Sequence, residues 1–302
     1  GGSFGGGNMF QANQSWEALS SALKLDPQAR GIGAAIYGFI LAVLVALVII
    51  GGIRRIATTA SRIVPFMCAI YVLGSLVIVF SNLSAVPSAL ADIITRAFSP
   101  TAVTGGAFGA LLVGVQRAAF SNEAGVGSAP IAHSAAKTEI PVREGFVGLL
   151  EPFIDTILVC TMTGLAIVVS EAHLLPVNRG TGGAEITTAA WATVAPWFPY
   201  ILALATVLFA FSTLISWSYY GERCFTWMFG ARSAIAYRFI FVAFVFIGSV
   251  IKLGNVIDFS DMMILGMAFP NLLGCLLLSG KVRRDLREYW NRHRKGEFQI
   301  EK

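Results

Sequence analysis

A chain of 302 residues that is 56% hydrophobic and 13% charged, with a mean hydropathy of +0.71, excludes a soluble globular domain, because such domains carry about 25% charge. The net charge is +5, but eight of the 22 Lys and Arg crowd into Lys281 to Lys302 and most others sit in short connections, a spread that argues against nucleic-acid binding. Four cysteines (Cys68, Cys160, Cys224, Cys275) lie far apart in apolar context, with neither metal-ligand spacing nor a disulfide framework.

In chain order, Gly1 to Leu23 is Gly-rich and then polar, with no initiator Met and no cleavable signal. Phe4 to Gln14 reads as the end of a span that starts upstream, so the chain reads as a fragment. Asn8, Gln11 and Asn13 there are placed either to reach a pocket or to cap a helix end. Apolar runs then follow at about Gly31 to Gly52 (span A) and Ile63 to Phe80 (span B). Residues 84 to 100 form a loop with a surface helix near Ala91 to Phe98. Span C, about Ala102 to Ala136, is too long and too interrupted for one helix. Span D is about Gly145 to Ser170, followed by a Gly- and Thr-rich loop from Glu171 to Thr188. Spans E, F and G are about Ala195 to Tyr219, Ile235 to Leu253 and Phe259 to Leu278. Each offers the ~20 apolar residues that cross a bilayer. The expectation is a single all-α, seven-span membrane domain with a basic tail, 281–302.

Loop charge orients these spans. The A–B, C–D and E–F connections and the tail hold 16 Lys and Arg, whereas the opposite connections hold three: Arg96, Arg179 and Lys252. Positive residues stay inside, which places the C-terminus in the cytoplasm, its basic tail against anionic headgroups.

The chemistry concentrates where span C breaks, in Phe120 to Ala136, FSNEAGVGSAPIAHSAA. Lipid tolerates irregular backbone only where protein or a cavity covers it, and a carboxylate at that depth normally faces a polar interior. Broken helices of this kind hold solute and ion in secondary transporters. Ser121, Asn122 and freed backbone groups would contact a small polar solute, and the second half-helix would favour its carboxylate. Glu123 would pair with a cation or brace the loop. The alternative is a helix packed tightly through Gly125 and Ser128. Arg117 is expected to pair with Glu151 or Asp155, or to act as a gate; His133 is expected to serve as a structural hydrogen-bonding group. Glu151 and Asp155, four apart on span D, form a proton or cation site or neutralise Arg117. In span E, Ser212, Thr213, Ser216 and Trp217 recur at one-turn spacing. Their hydroxyls suit a hard cation, or simply bond back to their own helix. Trp197, Tyr200, Tyr219 and Tyr220 read as interfacial anchors. A Ser/His intramembrane protease built on GVGSAP and His133 lacks any provision for an oxyanion.

The stretch FSNEAGVGSAPIAHSAAKTEIPVREG resembles the signature of the sodium:alanine (alanine or glycine:cation) symporter family. FGGGNMFQANQ, GGIRRIATTASRIVPFM, FIDTILVCTMTGL, FSTLISWSYYGERC and DFSDMMILGMAFPNLLGCLLLSG resemble that family's later helices in order. The resemblance implies a five-plus-five inverted-repeat fold and import of a small neutral amino acid, alanine or glycine, coupled to sodium or protons across a bacterial-type inner membrane. It implies that Gln11, Phe120, Ser121, Asn122, Thr213 and Trp217 line the solute pocket. Ser212 and Thr213, with the carbonyl of Phe209, would ligate sodium, and no other cofactor is implied. The family's first helix, its second and most of its third have no counterpart here, so this chain is expected to hold about half of the site and not to transport by itself. A non-transporting sensor or a channel on the same scaffold is the other reading. A channel wants polar residues along a continuous pore, whereas here they cluster at the breaks.

Overall fold

A computed structural model describes residues 1–99, 106–175 and 183–298. The described residues are helical throughout, joined by short turns. A π-helical turn over Gly5–Met9 runs directly into α1, Phe10–Ala22. Asp26 then caps α2 (Pro27–Ile49): its carboxylate accepts from the Ala29 amide at 2.8 Å and Pro27 occupies the first turn, the arrangement that satisfies a helix start. Gly52, at φ 67°, makes the reversal into α3 (Gly52–Ser81). The expected surface helix is α4, Val86–Ala97. The break in span C separates α5 (Gly106–Ser121) from α6 (Ala129–His133). Span D is α7 (Pro141–Pro152), a π-helical stretch over Phe153–Cys160, and α8 (Thr161–Val169). A short α9 (Ala184–Ala192) precedes the long α10 (Phe198–Phe229), α11 (Ala234–Val250) and α12 (Leu253–Arg294).

Six helical stretches among the described residues are long and apolar enough to cross a membrane. Span C, the seventh expected, contributes only the 16 residues of α5 before it breaks, and residues 102–105, where it was expected to begin, lie outside the described part, as do Arg179 and the last four residues of the tail. The tail is not a separate element: α12 is unbroken from Leu253 to Arg294, passing through Pro270. Its aromatic face folds onto the start of α7, with Tyr289 and Trp290 against Phe146 and Arg143 over the ring of Phe298.

Two apolar cores hold the structure. The first joins α1, α2, α10 and α11 through Leu41, Val45, Leu214, Tyr237, Phe241 and Val245. Helices approach closely there because glycine faces backbone: a Cβ on Gly248 would lie 2.5 Å from the Cα of Met9, the small-residue packing that membrane helices use. The second core gathers Ile78, Ala89, Ala166, Trp191 and Leu202 from α3, α4, α8, α9 and α10. By contrast α5, α7 and the π-helical stretch after α7 bury no residue fully.

Candidate functional site

The break between α5 and α6 is held open by side chains rather than by helix hydrogen bonds. Glu123, Gly125 and Gly127 adopt positive φ (57°, 83° and 101°), which glycine tolerates and glutamate does only under constraint. The constraint on Glu123 is Trp217 of α10, whose indole N–H donates to its carboxylate at 2.7 Å. Asn122 spans the turn: its carbonyl oxygen accepts from the Ala124 amide at 2.9 Å and its amide donates to the Thr156 hydroxyl at 2.6 Å. Ser121 donates to Asp155 at 2.5 Å. From the other side Asn271 of α12 donates to the Gly125 carbonyl at 2.9 Å.

These groups border a cavity of about 570 Å³, within the range of small-molecule sites. Its polar lining comes from Ser121, Asn122, Glu123, Glu151 and Asp155, and its apolar lining includes Met67, Cys68 and Tyr71 of α3. Three carboxylates face it, and among the described residues no Lys or Arg lines it.

The structure brings some expected residues together and separates others. Ser121, Asn122 and Phe209 line this cavity. Phe120, Gln11 and Trp217 form a layer behind it. Phe120 packs edge-on against Phe10 at 5.0 Å, and a Cβ on Gly6 would meet both Phe120 and Ile264. Gln11 donates to the Gly6 carbonyl at 3.0 Å, while Gly7 leaves the space that the Trp217 indole fills. Trp217 also lines a separate 130 Å³ cavity with Ser128 and Tyr220. Asn8 and Asn13 face α11, donating to the carbonyls of Phe241, Gly248 and Ile251 at 2.8, 3.2 and 2.8 Å. On α10 the Ser212 hydroxyl donates back to the Phe209 carbonyl at 2.9 Å, and Thr213 beside them is partly exposed. Ser216 bonds back to the Ser212 carbonyl at 2.9 Å, as hydroxyls in membrane helices often do.

Three expectations are corrected. Arg117 pairs with neither Glu151 nor Asp155 but with Asp261 of α12, at 2.5 Å, while its guanidinium lies over the Phe120 ring at 5.4 Å. Asp261 was passed over because it stands 144 residues away in sequence, and only the approach of α12 to α5 joins them. Tyr220 is not an interfacial anchor but lines the cavity. The second half of the broken helix is a five-residue turn, so its dipole is that of a single turn and falls short of the carboxylate site expected of it. His133 takes the hydrogen-bonding role expected of it, to Glu144, with Glu151 at ion-pair distance on its other side. Sequence reading missed Asn271, although an amide in the apolar run FPNLLG was a signal of a polar task at depth. It missed Thr156 as a partner as well, because the π-helical stretch that turns Asp155 and Thr156 together toward the break leaves no mark in the sequence.

Residues 2–302 match the model of the sodium:alanine symporter family. The chain is 41% identical to the sodium/alanine symporter AgcS of Methanococcus maripaludis over 97% of its own length and 63% of the relative's. It is 35% identical to the probable sodium/glutamine symporter GlnT of Bacillus subtilis (89% and 56% covered). To the sodium/proton-dependent alanine carrier protein of Bacillus sp. strain PS3 it is 31% identical (95% and 67% covered). The chain thus spans roughly three-fifths of the length of these relatives. A match across nearly every residue makes this chain a member of the sodium:alanine symporter family.

Proposed function

We propose that this chain is the greater part of a secondary symporter that imports a small neutral amino acid, alanine or glycine, together with sodium. The observation that carries the reading is the cavity at the helix break. It presents Glu123, Glu151 and Asp155 with no basic side chain among the described residues that line it, a field that favours an ammonium group over an anion. Ser121 and Asn122 supply the neutral polar contacts that orient a zwitterion. Phe120, Gln11, Thr213 and Trp217 form the layer behind it, and the Phe209 carbonyl with the hydroxyls of Ser212 and Thr213 offers the hard oxygens that sodium prefers. The fold is a five-plus-five inverted repeat working by alternating access, in which a broken helix moves against a scaffold. The distribution of basic residues supports a cytoplasmic C-terminus in a bacterial-type inner membrane, and on that reading α5 descends from the outer face and α6 leads to the inner one.

The test is uptake of labelled alanine and glycine into proteoliposomes with and without an imposed sodium gradient. It uses this chain and the chain extended upstream in its reading frame. Sodium-driven uptake by either form supports the reading. Uptake by neither, with both forms folded, overturns it.

A further inference from the structure

On the inner side of the break, α6 and α7 both line the cavity, α6 through Ala129 and Ala132 and α7 through Val147, Leu150 and Glu151. A single side chain ties them together. His133 hydrogen-bonds Glu144 through Nδ1 at 2.6 Å, and its Nε2 lies 3.3 Å from Glu151, at ion-pair distance but without the geometry of a hydrogen bond. Gly148, between those two glutamates on α7, gives the ring its place, since a Cβ there would stand 3.3 Å from Nε2. A neutral imidazole that donates from Nδ1 to Glu144 turns the lone pair of Nε2 toward Glu151, whereas the imidazolium presents positive charge to both carboxylates. We infer that His133, Glu144 and Glu151 form a proton-binding site that clamps the inner floor of the cavity, closed when the imidazole carries its second proton and released when it loses it.

The logic of the release is electrostatic. With His133 charged, one cation meets two anions drawn from one helix, and α6 is pinned to α7. On deprotonation one glutamate faces a lone pair and repels it, so one of the two ties is lost. Glu151 lines the cavity alongside Glu123, Asp155 and Tyr220, so the clamp shares a group with the cavity. On the far side of α6, Tyr219 and Arg223 of α10 border a groove with Ile131, Ser134 and Ala135. Arg223 is already engaged by Tyr219 at 3.0 Å. The sign follows: the clamp holds below the imidazole's titration and loosens as the inner pH rises through it. That range is close to neutrality for histidine.

The proposal rests on the symporter reading only for which face is inner, and its test requires no transport. Cys68 lines the cavity and serves as reporter once Cys160, Cys224 and Cys275 are replaced by Ala. Inside-out vesicles are treated with a membrane-impermeant maleimide between pH 5.5 and 8.5, comparing the parent with His133→Gln. The ratio of the two rates cancels the thiol's own ionisation. The parent is expected to label about tenfold more slowly than His133→Gln at the acid end and equally fast at the alkaline end. His133→Arg should stay slow throughout, and Glu144→Gln should shift the parent's curve about one unit to lower pH. A ratio of one at every pH, a Cys68 that never labels, or a Glu144→Gln curve that does not move overturns the clamp. If His133→Gln does not fold, the imidazole itself decides. The chain has three histidines, and an NMR titration finding His133 neutral at pH 6 refutes the site, whereas a doubly protonated ring there upholds it.

Discussion

The two halves of this molecule are held together by different forces. The helices α1, α2, α10 and α11 share a dry core, and α10 alone buries eleven residues, Leu214 and Ile215 completely. The elements from α5 through the π-helical stretch after α7 bury none, and Leu111, Leu149 and Ile157 are more than half exposed. In lipid such exposure costs nothing, so apolar surface does not drive these helices onto their neighbours. What positions them is a small set of polar ties: Arg117 to Asp261, Ser121 to Asp155, Asn122 to Thr156, His133 to Glu144 and Glu151. A packed core has one arrangement, whereas a polar tie can be exchanged for a solute, an ion or a proton. The contrast separates a scaffold from the part able to rearrange around a cavity.

Cutting into a packed core, here the second one, should have the largest effect on stability. Trp191 is fully buried, its ring against Tyr71 and Phe198 and filling the space left by Gly74. Trp191→Ala is expected to cost about 3–5 kcal/mol, read as an early thermal transition of the protein in detergent. Arg117→Gln removes a tie whose partners are 42% and 25% exposed, and screening limits its loss to about 1 kcal/mol. A transition for Arg117→Gln as early as that of Trp191→Ala would abolish the distinction between the halves.

At the seam the distinction can be sharpened. Trp217 belongs to the scaffold yet donates to Glu123 in the break. Trp217→Phe keeps an aromatic ring in place and deletes the donor. A hydrogen bond to a charged group is worth about 1.5–3 kcal/mol, so solute affinity is expected to fall by roughly an order of magnitude or more while the melting temperature changes little. Calorimetric titration with alanine gives the first quantity and differential scanning the second. An unchanged affinity would show that Glu123 is held by the backbone alone.

How far these features were legible in the sequence follows the same division. The scaffold helices α2, α10 and α11 were readable as spans A, E and F because each is a long apolar run, although α10 continues ten residues past the expected end at Tyr219. The break was readable because Ser121, Asn122 and Glu123 are costly at that depth. The partners of the ties were not. Arg117 had two nearer carboxylates to choose from, and its partner came from α12. The turning of Asp155 and Thr156 toward the break depends on a π-helical stretch that periodicity does not reveal. Sequence reports which residues are expensive to bury; which group compensates them is decided by packing.

The smallest effect expected concerns the ion. Thr213 stands on the scaffold side of the seam, next to the Ser212 hydroxyl, which donates to the Phe209 carbonyl at 2.9 Å. Thr213→Ala removes one neutral oxygen and leaves the helix intact, so the fold and the alanine affinity at saturating sodium should be unchanged. The sodium concentration for half-maximal uptake should rise by several-fold, since one ligand among several is lost. Sodium dependence identical to the parent would take Thr213 out of the ion site. It would leave the packed half as scaffold only, with ion and solute both held by the exchangeable ties of the other half.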